Sequence, residues 1–406
     1  MTTTSPAGTA ADLTGQGRNL ALATFAFVVS FWAWNLVGPL GVRYAQDLDL
    51  TGSEKSLLVA IPVLVGSLGR IIAGAMTDRY GGRVMFPLLL AASAPFVLLV
   101  AFAGERGSYP LLLVFGFFLG VAGTTFAVGV PFVNAWYDAP RRGFATGVFG
   151  AGMGGTALSS FFTPRLVESF GYTTTHVLVA VALVLTAVLC WAFLRDSPRW
   201  TPNHNPVLPK LALGLRLPVT WRMSFLYAVT FGGFVAFSTY LPTYLTDVYA
   251  FDLTGAGTRT AGFAIAAVLA RPLGGVLADK VGPRTVVMAS LAGTAVLAVV
   301  VALEPPAEVP AGIAFVLLAL FLGLGTGGVF AWVAVQSPPE KVGTVTGLVG
   351  AAGGLGGFFP PLVMGATYGV VLDDYGLGLA LLVVVALGAL LFTARQPAGR
   401  GEAGRA

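Results

Sequence analysis

Twelve apolar stretches of about 20 residues each dominate this sequence, and they constrain the fold more than any other feature. Each is long enough to cross the ~30 Å hydrocarbon core of a bilayer as an α-helix. Only 10% of the 406 residues are charged, against about 25% in an average soluble domain. We therefore expect an all-α membrane protein of twelve transmembrane helices in two six-helix bundles, with spans at 20–41, 55–77, 84–103, 109–137, 143–167, 173–194, 220–246, 257–278, 285–303, 310–336, 343–371 and 376–394.

A polar stretch at 195–219 divides the spans six and six. It contains five prolines, so we do not expect it to form one regular helix. The predicted organisation is a disordered N-terminal tail at 1–17, a bundle at 18–194, a cytoplasmic central loop at 195–219, a second bundle at 220–394 and a cytoplasmic C-terminal tail at 395–406.

Lysines and arginines are distributed unequally between the two ends of the spans. Of the 23, sixteen fall on the side of the chain termini and five on the other, while Arg70 and Arg271 lie inside spans. The positive-inside rule then predicts a multi-pass inner-membrane protein with both termini cytoplasmic. A nucleic-acid-binding protein would instead carry a clustered basic face. One cysteine and two histidines leave no metal-ligand cluster or catalytic triad, so we expect no metal, no cofactor and no enzyme activity.

The two halves also repeat in sequence. Residues 70–83 match 271–284 at an offset of 201, and 141–150 match 341–350 at an offset of 200. Because six spans return the chain to the same side, the repeat is parallel, as in secondary carriers that bind substrate between their halves. This organisation favours an alternating-access carrier over a channel, a non-transporting sensor or a membrane enzyme.

Arg70 and Arg271 are the charged residues closest to the predicted membrane centre. Each precedes the aspartate at the end of its span, Asp78 or Asp279, by eight residues, which is roughly 12 Å along a helix. No acidic residue falls in the middle of any span. Each guanidinium could donate hydrogen bonds to helix carbonyls, or its long side chain could extend to place the charge at the inner membrane surface. The interpretation we favour is a pair of facing guanidinium forks that binds a small planar anion.

Two helices carry dense glycine, at 147–164 and 347–361. The glycines either mediate close helix packing or leave room for a substrate beside the backbone. Tyr227 and Phe231 are four residues apart and share one helix face, which either contacts the anion or packs in the core or against lipid.

The stretch from Gly69 to Arg83 resembles the loop motif of the major facilitator superfamily, with a weaker copy at 270–284. The glycine-rich stretches resemble the paired signature motifs of the nitrate/nitrite porter family, although Gly154 stands where that family usually has asparagine. The resemblance implies two bundles that rock about a midplane site. It implies substrate binding by Arg70, Arg271, Phe126, Tyr227, Phe231, Gly150, Gly154, Gly350, Gly353 and Gly354.

Six charged residues at the inward ends of the spans are predicted to latch the two bundles together, or else to be solvated loop charges: Asp78, Arg79, Arg83, Asp279, Lys280 and Arg284. The predicted function is secondary transport of nitrate and/or nitrite by a monomer, preferably as nitrate/nitrite antiport, which would serve nitrate assimilation. The alternatives are proton-coupled nitrate uptake and an organic-anion or drug exporter of the same superfamily.

Overall fold

The computed structural model describes residues 14–138, 141–203, 206–307, 309–338, 341–368 and 375–396. Most of the two predicted tails therefore lies outside the described residues. We number the membrane helices α1 to α12 in chain order: Gln16–Asp47, Gly52–Tyr80, Gly82–Glu105, Tyr109–Trp136, Arg142–Phe170, Tyr172–Phe193, Pro218–Tyr249, Leu253–Val281, Pro283–Ala302, Val309–Gln336, Val342–Thr367 and Gly376–Ala394.

Eleven of these helices are long and apolar enough to cross a membrane. The other one, α5, consists of Arg142–Gly150 and Gly155–Phe170, joined by a 3-10 turn at Ala151–Gly154. Glycine, serine and threonine take the place of larger apolar residues in α5, which lowers its hydropathy. Similar 3-10 turns interrupt α1 at Gly38–Leu40 and α4 at Gly120–Thr124.

Twelve passes bring the start of α1 and the end of α12 to one face of the bundle, which we call the terminal face. The opposite face is the distal face. A shorter connecting helix, Val207–Leu215, lies within the proline-rich segment between α6 and α7. It packs on α11, because a Cβ on Gly214 would lie 2.8 Å from the side chains of Thr344 and Leu348.

The internal repeat is visible in the turns after α2 and α8. Gly81 and Gly282 begin the next helix in equivalent places, and their φ angles are +82° and +91°. Residues other than glycine rarely adopt such angles. At the first turn there is also no space for a side chain, because a Cβ on Gly81 would lie 2.4 Å from the Asp196 carboxylate.

Small residues bring α8 and α10 into backbone contact. A Cβ on Gly323 would lie 2.3 Å from the carbonyl oxygen of Ala267, and one on Gly327 would lie 2.0 Å from that of Arg271. Close approach of this kind is how membrane helices gain packing energy without a hydrophobic driving force. The glycines of α10 therefore fix the position of the backbone that carries Arg271.

The two halves, α1–α6 and α7–α12, are joined by hydrogen bonds at two levels. One level is the centre of the bundle, where Arg70 donates to the Gly350 carbonyl. The other is the distal face, where Ser53 donates to the Gly365 carbonyl and Arg165 donates to the Thr258 hydroxyl at 2.8 Å. Contacts near the distal ends of the helices hold the halves together on that face.

Candidate functional site

The Arg70 guanidinium lies at the centre of the bundle, on α2. The residue is 3% exposed. Its Nη1 donates to the Gly350 carbonyl at 3.0 Å and its Nε donates to the Gly123 carbonyl at 3.4 Å. Its Nη2 is buried without a hydrogen-bond partner. Because a buried, unpaired charged donor is unfavourable, this atom indicates a missing acceptor.

The Arg271 guanidinium lies opposite, on α8, and is half-buried. Its Nη2 donates to the Tyr227 hydroxyl at 3.3 Å, and its Nη1 lies 2.6 Å from the Met153 sulfur. A thioether is only a weak acceptor. This guanidinium therefore also lacks a strong acceptor on the side that faces the other half.

Two phenylalanine rings contact both arginines. The guanidinium carbons of Arg70 and Arg271 lie 5.2 and 5.5 Å from the centre of the Phe126 ring. They lie 5.5 and 5.9 Å from the centre of the Phe231 ring. The rings provide cation–π contacts of about 0.5–2 kcal/mol each, and they bring both charges to one small space.

No carboxylate neutralises this pair in the described part of the chain, where the ion pairs involve Arg43, Lys55, Arg199 and Lys210 instead. Two unit charges about 8 Å apart repel by about 2 kcal/mol at an effective dielectric constant of ~20. An anion about 4 Å from each would gain about 4 kcal/mol from each at the same dielectric constant. The geometry thus suits a small anion with acceptor atoms on two sides.

The glycines of α11 let its backbone approach the site. A Cβ on Gly353 would lie 2.0 Å from the Tyr227 ring, and a Cβ on Gly354 would lie 2.2 Å from the Ser67 hydroxyl and 3.4 Å from Arg70 Nη1. On Gly350, by contrast, a Cβ would make only an ordinary 3.7 Å contact with Phe126. A larger residue at 353 would displace Tyr227, which accepts from Arg271, and one at 354 would displace Ser67 and crowd Arg70.

The glycines of α5 are arranged differently. Nothing lies within 4 Å of a Cβ placed on Gly150 or Gly154. The structure therefore leaves open space where the related family usually has an asparagine, instead of filling it with a neighbouring side chain. Of the glycines predicted to bind substrate, those on α11 contact the arginine cluster closely and those on α5 do not.

Three further residues at the site escaped the sequence analysis: Ser67, Met153 and Phe330. Phe330 lies 5.3 Å below the Arg271 guanidinium and packs edge to face on Tyr227. A signal for it exists, because α4 and α10 are equivalent helices and each carries a Phe-Ala pair, at 126 and at 330. Ser67 lies one turn before Arg70, and Met153 lies within the glycine-rich segment.

The six predicted latch residues lie at the terminal face, where Asp78, Arg79, Arg83 and Arg284 make contacts within one half or with the connecting segment. The Arg83 backbone N–H donates to Asp196, and the Arg284 guanidinium donates to the Thr393 and Ala394 carbonyls. Asp78 lies 3.9 Å from Lys210, and Arg79 lies over the neighbouring Tyr80 ring. Asp279 and Lys280 are exposed at the end of α8. The latch between bundles stays a prediction.

An ion pair that the sequence analysis did not predict joins the halves at the distal face. Lys55 Nζ on α2 lies 2.7 Å from Asp247 Oδ2 on α7. The Tyr375 hydroxyl donates to the same oxygen at 2.5 Å. Next to this pair, the Ser56 hydroxyl donates to the Tyr240 hydroxyl at 3.0 Å. The Lys55–Asp247 and Ser56–Tyr240 contacts join α2 to α7, so they can exist only while the distal ends of these two helices are together.

This chain is similar to known membrane transporters in both sequence and fold. The family model described as "Major Facilitator Superfamily" matches residues 23–361 and 250–405. The "Probable nitrate/nitrite transporter NarK2" of Mycobacterium tuberculosis (strain ATCC 25618 / H37Rv) is 62% identical over 94% of this chain and 98% of its own. The "Nitrite extrusion protein" of Bacillus subtilis (strain 168) is 34% identical over 92% of both chains.

A third relative is the "Probable nitrate/nitrite antiporter NarK1" of Thermus thermophilus, which is 37% identical over 85% of this chain and 84% of its own. Among solved structures, an inward-facing, occupied bacterial homologue of the human lysosomal transporter Spinster superimposes with a TM-score of 0.72. It covers 93% of this chain and 96% of its own at 19% identity. This last likeness concerns the fold.

Proposed function

Since this chain belongs to the Major Facilitator Superfamily and, within it, to the nitrate/nitrite porters, we propose that it transports nitrate and nitrite across the membrane by alternating access. The observation that carries the proposal is the pair formed by Arg70 and Arg271. They come from equivalent helices of the two halves, face the same two rings and lack a carboxylate partner among the described residues. The buried, unpaired Nη2 of Arg70 supplies a donor for one substrate oxygen.

The shape of the site supports a small planar substrate. Nitrate and nitrite present coplanar oxygens, which match the planar guanidinium fork. The rings of Phe126 and Phe231 limit the space beside the two charges. An organic anion or a drug would need a larger cavity than these walls leave.

We place the terminal face in the cytoplasm, in the inner membrane, because sixteen lysines and arginines lie on that side. The distal face is then the outer face, and its interbundle contacts close the outer side. In the opposite state of the cycle, the six charged residues at the terminal face, including Asp78 and Asp279, would latch the inner side.

Exchange is the transport mode that the site favours. When the site is empty, closing both halves around two unpaired cations is opposed by their repulsion and by the loss of their hydration. A bound anion removes both penalties, so the loaded carrier crosses readily. One-for-one exchange of nitrate and nitrite is electroneutral, whereas net anion uptake opposes about 2.3 kcal/mol per charge for every 100 mV, inside negative.

The test is uptake of labelled nitrate into proteoliposomes that contain nitrite, nitrate or neither anion. We expect rapid uptake with either anion trapped inside and at least tenfold slower uptake into empty vesicles. Arg70→Lys and Arg271→Lys should each abolish most exchange, because lysine keeps the charge but loses the planar fork. Arg259→Lys on the same helix as Arg271 is the matched control, since its guanidinium packs over Phe251 away from the site.

Each alternative predicts a different result. Uptake into empty vesicles that is as fast as exchange and follows an imposed pH gradient would indicate proton-coupled uptake. Near-normal exchange by either lysine variant would show that the pair of guanidinium groups is not required for anion binding. Inhibition by organic carboxylates with no effect of nitrite would indicate the exporter.

A further inference from the structure

A second basic site lies outside the transport pathway, on the lipid-facing surface at the terminal face. A groove of about 680 Å³ runs between the start of α7 and the end of α12. Its wall consists of two arginines, three aromatic rings and a proline: Arg216, Arg222, Trp221, Phe225, Phe392 and Pro218.

The two arginines of this groove have no counter-charge nearby in the sequence. No aspartate or glutamate occurs between Asp196 and Asp247, or in the 376–396 segment that contains α12. Neither Arg216 nor Arg222 takes part in an ion pair in the portion of the chain that the structure describes. The groove therefore carries two arginines that have no ion-pair partner among the described residues.

Most of the surface that lines the groove is apolar, and aromatic side chains form much of its wall. Phe225 and Phe392 pack edge to face, with ring centres 5.4 Å apart. Trp221 is 62% exposed, and its Nε1 donates to the Leu215 carbonyl at 2.7 Å. Tryptophan is enriched where the headgroup and hydrocarbon layers meet, which is where this end of α7 lies in the proposed topology.

We propose that this groove binds an anionic phospholipid of the cytoplasmic leaflet. Arg216 and Arg222 would bind the headgroup phosphate, and Trp221, Phe225 and Phe392 would contact an acyl chain. Basic pockets between helices on the cytoplasmic side suit such headgroups. A free phosphate ion fits the arginines equally well but gains nothing from the exposed aromatic wall. The inference rests on the proposed topology and not on the identity of the transported anion.

A lipid bound at this position would affect the stability of the folded carrier. The Trp221–Leu215 hydrogen bond ties α7 to the connecting helix, which in turn packs on α11. A lipid in the groove would therefore stabilise the contacts between the connecting helix and the C-terminal half. Its loss should destabilise the folded carrier and leave anion affinity at the central site unchanged.

The experiment uses the full chain purified with defined lipids and measures retained lipid by native mass spectrometry and thermal stability by unfolding. Phosphatidylglycerol should be retained and should raise the Tm relative to phosphatidylcholine. The double variant Arg216→Gln/Arg222→Gln should retain phosphatidylglycerol about tenfold less, because basic residues near a membrane surface attract anionic lipid individually. Arg18→Gln/Arg141→Gln is the matched control, which removes the same charge from the same face.

The outcomes separate the possible sources of phosphate. Equal retention by the groove variant and the wild type, or equal losses in both double variants, would overturn the site. A Tm increase that inorganic phosphate alone reproduces would assign the groove to a free ion instead of a lipid. Trp221→Ala provides an independent check, since it should weaken lipid retention without changing the response to inorganic phosphate.

Discussion

The ion pair at the distal face leads to a quantitative prediction about the balance between the two states of the carrier. Asp247→Asn removes the charge that Lys55 meets across the two halves. The Lys55 side chain is 9% exposed and that of Asp247 is 16% exposed, so the pair is closer to a buried one than to a surface one. Surface pairs contribute up to about 1 kcal/mol, whereas removing one partner of a buried pair costs about 3–5 kcal/mol.

An intermediate value of about 2 kcal/mol corresponds to a roughly 30-fold change in an equilibrium constant. The pair forms only when the distal face is closed. Its loss should therefore lower the ratio of the closed to the open form of that face. Tyr375 donates to the same carboxylate oxygen, but it belongs to the same half as Asp247, so that hydrogen bond does not depend on closure of the distal face. The open form should therefore become roughly 30-fold more populated relative to the closed form.

Cysteine labelling in nanodiscs measures this ratio. The chain has one cysteine, Cys190, which is buried and can be changed to serine. Thr243→Cys then places a thiol on α7, where Thr243 is fully buried and lies beside Gly41 of the other half. Its reaction with a polar maleimide should accelerate by up to the same factor in the Asp247→Asn variant. Arg106→Cys, on an exposed distal turn, should react at an unchanged rate.

A charge exchange provides the decisive control. Lys55→Asp combined with Asp247→Lys restores an opposite-charge pair, so it should return labelling of the Thr243→Cys thiol most of the way to the parent rate. Labelling that changes less than twofold in the folded Asp247→Asn variant would refute the reasoning, because the pair would then contribute nothing to closure.

Three further predictions concern the central site. Gly353→Ala should reduce nitrate binding at least tenfold, because its methyl would lie 2.0 Å from the Tyr227 ring, whereas Gly388→Ala, with nothing within 4 Å, should bind normally in the same calorimetric titration. Tyr227→Phe removes the hydroxyl that accepts from Arg271 and should weaken nitrate binding roughly fivefold, for a hydrogen bond of about 1 kcal/mol; unchanged affinity would show that this hydroxyl does not position Arg271. Phe126→Leu removes a ring shared by both guanidinium groups and should lower the Tm of the empty carrier more than that of the nitrate-loaded one; equal losses would contradict a role for the ring in stabilising the unpaired charges.

The sequence was sufficient to predict the helices, which depend on short-range information, and to single out Arg70 and Arg271 by their equivalent places in the repeat. An apolar run long enough to cross a bilayer has few alternatives to a helix. The repeat indicates that Arg70 and Arg271 occupy equivalent positions, and the packing of the halves then brings both to the rings of Phe126 and Phe231. The helix ends were less well predicted: α2 covers Gly52–Tyr80, whereas its apolar run covers 55–77. Polar residues continue a helix beyond the hydrocarbon layer, where hydropathy no longer marks it.

The distal ion pair could not be predicted in the same way. Lys55 and Asp247 are 192 residues apart, and each lies at the end of a span among other charges that face solvent. Their meeting depends on how α2 and α7 approach each other beside Gly41 of α1, where a Cβ would lie 2.6 Å from Val59 and 3.5 Å from Thr243. The contacts of Met153 with Arg271 and of Ser67 with α11 likewise depend on packing across the two halves, which the pattern of either half alone does not contain.

The hydrogen bond from Arg70 to the Gly350 carbonyl has a consequence for how the carrier detects its cargo. If the anion binds as we propose, one side chain of the first half donates to it through one nitrogen and, through another, donates to a carbonyl of α11 in the second half. A bound anion that attracts this guanidinium would then weaken its hydrogen bond to α11 directly. Substrate binding and movement of the halves would thereby depend on the same few atoms, without a relay from a distant sensor to a hinge.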